Sequence, residues 1–306
     1  MLLILAVALE LFVDWAPENA PIDHVLPSSH LIRPQLKEKG WDIAPFEKKP
    51  ENTWVFWNLG NKVKNLDLSA HPKDKMVLFM WEPPTVQEEL YDPKVQGCFG
   101  KIFTWDDDLV DNKRFFKFHY PVLQQRIENI PPFEEKKFCT MIARNLGSKY
   151  PKQLYSERKN TVQFFEDKPK EFDLYGAQWS KKKTKNWRGA IPDKMAVLKN
   201  YKFSICYENT GDINGYISEK IFDCFAAGVV PIYWGASNVT DYIPENCFID
   251  RRKFKDNQAM YAFLKKVTKE EYEKYLQNAE QFLKSEKAQV FSQEHFAKTF
   301  MKIIEP

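Results

Sequence analysis

At 306 residues, with apolar side chains at 43% and charged ones at 28%, the chain has globular composition and enough length for two domains of ordinary size. This excludes an intrinsically disordered chain, whose apolar content would be too low to offset the entropy of ordering. Its 45 basic and 42 acidic residues leave a net charge of only +3, which excludes a wrapper of nucleic acid and leaves a small anion as the expected charged ligand.

In chain order, residues 3–13 form an apolar run interrupted by Glu10 and ended by Asp14, well short of the ~20 residues a membrane span needs. A first core strand is expected there. With no basic leading region and no small-residue cleavage site, no secretory signal is expected. The expected location is the cytoplasm, with peripheral association at the inner membrane left open; the Golgi lumen is the alternative for a chain trimmed at its start. Further strands are expected over 54–57, 76–81 and 101–105, each ending in polar or turn-forming residues.

Pro131, Pro132 and the charged residues around them read as a linker. Beyond it, strands over 137–143, 172–175, 201–207 and 229–234 alternate with helices over 153–165, 193–199 and 218–227, the last ended by Gly228 as C-cap. Residues 257–294 carry Phe263, Leu264, Val267, Tyr272, Leu276 and Phe282 at helical spacing and read as two amphipathic helices. Strand–helix alternation predicts an α/β protein with largely parallel sheets. The expected domains are 1–130, 131–255 and a helical tail, 256–306, that packs on both.

The segment after strand 201–207 holds the most chemistry. Its loop contains Glu208, Asn209, Gly211 and Gly215, and the next helix opens Ser218-Glu219-Lys220. Ligands of open α/β sheets bind at such carboxyl ends. A lysine in a first helical turn works against the helix dipole unless an anion compensates, so Lys220 fits a phosphate and Glu219 a ribose diol. A solvated Glu–Lys pair on a capped surface helix is the alternative. In the first half, strand 76–81 delivers Trp81 and Glu82 and is halted by Pro83 and Pro84; a carboxylate in that setting is partly desolvated and suited to general-base work, or is simply a strand-terminal acid in solvent. Arg158, on helix 153–165, could fork onto phosphate or pair at the surface.

Other charged features carry less. Asp106, Asp107 and Asp108 suggest a turn or helix cap more than a metal site, because three adjacent side chains do not converge on one point. The five histidines lie far apart, so no metal is expected. Lys181, Lys182, Lys183, Lys185 and Arg188 read as a solvated loop. The five cysteines lack CxxC spacing and read as reduced, buried thiols.

The run from Tyr207 through Glu208, Asn209 and Tyr216 to Glu219 and Lys220, followed by Ala226-Ala-Gly-Val-Val-Pro-Ile-Tyr-Trp-Gly235, resembles the donor-binding signature of the α1,3/4-fucosyltransferase family. Trp81-Glu82-Pro83-Pro84 is similar to that family's acceptor-side motif, and Tyr155-Ser-Glu-Arg158 to its phosphate-binding helix. The resemblance implies a GT-B fold, two Rossmann-like doubly wound domains facing across a cleft. It implies an inverting α1,3-fucosyltransferase with GDP-fucose as donor, no essential cofactor or metal, and an oligosaccharide or glycoconjugate acceptor such as GlcNAc of an N-acetyllactosamine-type glycan. In that frame Glu82 is the general base, Arg158 and Lys220 hold the diphosphate, Glu219 holds the ribose, and Glu208, Asn209 and Tyr216 complete the donor pocket. The chain lacks the cysteine pairs of the animal enzymes and the heptad tail of some bacterial ones, which suggests a compact bacterial, or otherwise non-animal, member acting in glycan biosynthesis or protein glycosylation. A transferase using another nucleotide sugar and a non-catalytic nucleotide-sugar binder are the competing readings.

Overall fold

The computed structural model describes residues 3–8, 28–39, 41–45, 53–57, 68 and 71–304. The expected strand positions 9–13, and His24, lie outside these described residues. The chain divides into two compact units, one formed by Met1–Pro121 with Val290–Pro306 and the other by Val122–Gln289.

The first unit runs β1 (Leu3–Ala8), α1 (Ser29–Glu38), β2 (Trp41–Pro45), β3 (Thr53–Trp57), β4 (Met76–Met80), α2 (Pro93–Gln96), β5 (Lys101–Thr104) and β6 (Phe115–Lys117). The second runs β7 (Lys137–Ile142), α3 (Tyr155–Phe165), β8 (Phe172–Tyr175), α4 (Lys194–Leu198), β9 (Tyr201–Tyr207), α5 (Glu219–Ala226), β10 (Val230–Trp234) and α6 (Val239–Tyr242). It closes with β11 (Ile249–Asp250), α7 (Asn257–Leu264) and α8 (Lys269–Leu283), after which α9 (Gln293–Ile304) returns to the first unit.

Among the described residues every pairing between these strands is parallel. The first sheet has the order β2-β1-β3-β4-β5-β6 and the second β8-β7-β9-β10-β11. In both, the first strand lies between the second and the third, so the winding direction reverses beside it. Parallel sheets are covered on both faces, and their strands read as continuous apolar runs. β4, Met-Val-Leu-Phe-Met, is buried at every position, and β9 is buried at all but Lys202.

Helices close each sheet through aromatic packing. In the first unit Phe79 stacks on Phe103 with centroids 4.0 Å apart, and Phe296 and Phe300 of α9 lie 6.0 and 5.7 Å from Phe79. In the second, Phe282 of α8 meets Phe222 and Phe225 of α5 at 6.2 and 6.1 Å. The C-terminal helices are thus shared out: α7 and α8 belong to the second unit, α9 to the first. The elements without a clear sequence signal are α1, α2, α6, β2, β6, β11 and α9; the shortest, β11, has two residues, too few for a period to register.

Candidate functional site

The second sheet reverses its order between β7 and β9, and crevices at such reversals, outside the carboxyl ends of the strands, are where open α/β sheets bind ligands. The loops leaving β7 and β9 are laced together there. Leu154 N–H donates to Asn209 O at 3.0 Å, Gly211 N–H to Lys152 O at 2.9 Å, and Gln153 bridges Thr210 antiparallel. Gly211 permits this approach, since a Cβ on it would sit 3.1 Å from the Leu154 methyls and Trp234 Nε1. The lacing brings α3 onto the β9 end, where Arg158 Nη2 donates to Tyr207 O at 2.7 Å and to Asn209 Oδ1 at 2.9 Å. The guanidinium is buried and lies over the Tyr155 ring at 5.1 Å. Burial pulls its pKa below the ordinary value, with Tyr155 and Glu208 acting in the opposite direction.

At the head of the β9 loop stands Glu208, whose side chain has 0% exposure. Its carboxylate accepts the Ser218 N–H at 2.8 Å and the Ser218 hydroxyl at 2.7 Å, and pairs with Lys220 Nζ at 2.9 Å. Ser218 thus occupies the N-cap position of α5 without bonding into the helix; its polar groups are turned onto Glu208. Lys220 keeps 22% of its side chain exposed, whereas Glu208 keeps none. Burial lowers the lysine pKa, but Glu208 and Glu219 more than reverse this and hold it above the ordinary value. The Gly235 backbone closes over Glu208: a Cβ there would lie 2.6 Å from Glu208 Cγ.

Glu208 therefore offers no surface to a ligand in this structure, and its observed contacts are with Ser218 and Lys220. Tyr216 is also buried, with its carbonyl accepting from Tyr233 at 3.2 Å. Glu219 is half-exposed and lies 3.5 Å from Lys220 Nζ and 3.9 Å from Lys194 Nζ. Desolvation raises its pKa, but the two lysines outweigh that and hold it down to about 2. Arg158, distant in the chain, thus stands with Glu208, Asn209 and Lys220 around one strand end, flanked by Glu219.

Sequence reasoning passed over Lys194, Asp223 and Gln124, which form the other flank of α5. Lys194 Nζ pairs with Asp223, and Gln124 Nε2 donates to the same carboxylate at 2.6 Å. Nothing in spacing links position 124 or 194 to 223; the only local signal was Asp193, whose side chain caps α4 by accepting Ala196 N–H and so places Lys194 at the helix start.

Glu82 belongs to the first unit, two residues past β4, and is half-buried. Its backbone is pinned from two sides: Tyr91 hydroxyl donates to Glu82 O at 3.1 Å, and Tyr120 hydroxyl donates to Trp81 O. The Trp81 ring stacks on Phe118 at 5.3 Å. The strand stops at Met80, and Pro83 O accepts the amides of Val86 and Gln87, forming the turn expected after the prolines. The remaining charged runs have local partners. Asp106 accepts Asp108 N–H at 3.0 Å, and Asp107 pairs with Lys117 at 2.6 Å. In the basic loop Lys181, Lys182 and Lys183 are exposed, while Arg188 pairs with Asp173. All five cysteines are free thiols, four of them buried. Among the described residues no group of three or more His, Cys, Asp or Glu could hold a metal ion, and no helix is long and apolar enough to cross a membrane.

Comparison with known proteins gives the family and the fold. The model of glycosyltransferase family 10 (fucosyltransferase), C-terminal part, matches residues 134–304. An α-(1,4)-fucosyltransferase of Arabidopsis thaliana is 41% identical over 71 residues, 23% of this chain and 18% of the relative. The α-(1,3)-fucosyltransferase FucT of Helicobacter pylori is 33% identical over 75 residues, 24% of this chain and 16% of the relative. The aligned segments thus span less than a fifth of these relatives' lengths. A crystal structure of an α1,3-fucosyltransferase superposes with a TM-score of 0.62 at 17% identity, covering 99% of this chain and 90% of the other. An α1,3-fucosyltransferase crystallised with GDP-fucose superposes at 0.55 and 16%, with the same coverage. The fold is the GT-B fold of glycosyltransferases.

Proposed function

Because the chain belongs to glycosyltransferase family 10, the fucosyltransferases, we propose that it transfers L-fucose from GDP-fucose to a glycan hydroxyl, with α1,3 regiochemistry, inversion at the fucose C1, and GlcNAc of an N-acetyllactosamine-type oligosaccharide as acceptor. The observation that carries this reading is Lys220: a partly exposed lysine at the start of α5, beside the sheet's point of reversal, oriented by a carboxylate that has no exposure of its own. A leaving diphosphate gains negative charge as its bond to the sugar breaks, and a fixed cation that needs no reorganisation stabilises that charge. Arg158, anchored on Tyr207 O and Asn209, supplies a second cation at the same strand end.

In the proposed step the acceptor oxygen attacks fucose C1 while the bond from C1 to the β-phosphate oxygen breaks and GDP departs with the electron pair. Glu82 takes the proton of the acceptor hydroxyl. With Lys220 and Arg158 as the fixed charges, leaving-group stabilisation needs no divalent cation. The half-exposed Glu219 carboxylate, ionised throughout the neutral range, is suited to accept hydrogen bonds from the ribose diol.

The test is mass-spectrometric and linkage analysis of products after incubation with GDP-fucose and a small glycan set, with UDP- and GDP-hexoses as competing donors. A fucosylated product bearing an α1,3 linkage supports the reading. GDP binding with neither transfer nor hydrolysis, or a preference for a different donor, sinks it.

A further inference from the structure

The charged groups along the first two turns of α5 alternate in sign. Asp223, with 9% of its side chain exposed, pairs with Lys194; Lys194 lies 3.9 Å from Glu219; Glu219 lies 3.5 Å from Lys220; and Lys220 pairs with the fully buried Glu208. The two ends are tied down independently of any ligand, Asp223 by Gln124 at 2.6 Å and Glu208 by Ser218. Between these anchors stand the three members that reach solvent.

We infer that Lys194 is a positioning residue for the donor's ribose: anchored on Asp223, it stands with Lys220 at the same Glu219 oxygen, Oε1, and restrains that carboxylate so that Glu219 meets the ribose hydroxyls already oriented. This rests on the donor-site reading above. The physical need is plain. Glu219 sits at the first position of α5, is half-exposed, and has Lys220 as its sequence neighbour. With Lys220 alone it would swing toward the cation that the diphosphate requires, and each bound donor would have to pull the two apart. A second cation, itself fixed on Asp223, competes for the same carboxylate oxygen and limits that swing. The charge on Lys194 is itself secure, since Glu219 and Asp223 raise its pKa against the opposing effect of burial.

The experiment is calorimetry of GDP and of 2′,3′-dideoxy-GDP with the full chain and with Lys194→Met, Lys194→Gln and Lys194→Arg. The two nucleotides differ only at the ribose hydroxyls, so their affinity ratio isolates the ribose contact. The glutamine variant can still donate to Asp223, which protects the fold if the methionine variant is unstable. Wild type is expected to prefer GDP. Both neutral variants should reduce that preference about threefold to fivefold, the scale of a partly exposed ion pair, at unchanged affinity for the dideoxy nucleotide. Lys194→Arg should restore it, and in a Glu219→Gln background removal of the Lys194 charge should have no further effect. An unchanged ratio in the neutral variants, or an equal loss for both nucleotides, overturns the role assigned to Lys194 and leaves the donor site standing. Absence of GDP binding by wild type overturns the donor-site reading, and this inference with it.

Discussion

Lys220 Nζ lies 2.9 Å from a Glu208 carboxylate oxygen, and of the two only the lysine has exposed surface. The pair therefore has an inner and an outer member: Glu208 fixes Lys220, and Lys220 alone of the two keeps exposed surface. Lys220→Met should reduce fucosyl transfer about a hundredfold or more, the scale for losing one preorganised charge partner, and weaken GDP binding as well. It should also destabilise the fold, on the order of 3 kcal/mol, because a buried carboxylate loses its counter-charge. Adding Glu208→Gln should recover much of the stability and none of the activity. Urea denaturation of both variants checks this; a Lys220→Met protein as stable as wild type would contradict the inner-member role of Glu208.

Glu82 makes the complementary case. Glu82→Gln keeps the size of the side chain and leaves the backbone bonds from Tyr91 and Tyr120 in place. Turnover at saturating donor should fall on the order of a hundredfold while GDP affinity stays put, because only proton acceptance is lost. Calorimetry alongside the transfer assay separates the two. Near-normal turnover removes Glu82 from the mechanism, and a parallel loss of GDP affinity reassigns it to donor binding or folding.

Gly235→Ala tests the lid over Glu208. The new methyl would press on Glu208 Cγ at 2.6 Å and on the Tyr233 hydroxyl, both buried, so something must move. Overpacking of this kind costs about 1–3 kcal/mol. Displacing Glu208 should also misplace Lys220, so GDP affinity should drop together with the melting temperature. A lower melting temperature with unaltered GDP affinity would show that the two residues are not mechanically coupled.

Lys136 predicts a pH dependence of stability remote from the site. Its ammonium is buried and donates to Gly228 O at 2.7 Å, at the C-terminal end of α5, and burial, reinforced by Arg126, lowers its pKa from 10.5 to about 7. The unfolded chain therefore binds more protons than the folded one between about pH 7 and 10.5, and stability rises with pH across that window. Measured as a difference from Lys136→Met, which has no such group, wild type should gain a few kcal/mol at most from pH 7 to pH 10. At pH 7 and below, the methionine variant should be at least as stable. A difference that is flat with pH would mean that Lys136 keeps its ordinary pKa.

The sequence by itself determined the α/β class, the mainly apolar strands and the residue types at the α5 start. β8 and β9 fall on the expected bounds, and β10 and α5 differ from theirs by a residue at their ends, because a strand buried on both faces and a helix ended by a left-handed Gly228, at φ 63°, leave unambiguous local signals. Glu219, Lys220 and Arg158 read as candidate donor-site residues from their place beside a strand end and from the family resemblance, with a surface ion pair as the alternative. Which neighbours would restrain them was not legible. Glu208 read as one more ligand contact, whereas the fold buries it behind Lys220; nothing in the sequence linked Lys194 or Gln124 to Asp223, though both are tied to α5 through it. The return of α9 to the first unit was equally hidden, since an amphipathic helix announces that it will bury a face and not which sheet will receive it. Local preferences are properties of a dozen consecutive residues, but counter-charges and packing partners are chosen by the strand order, and that order is decided only when the whole sheet assembles.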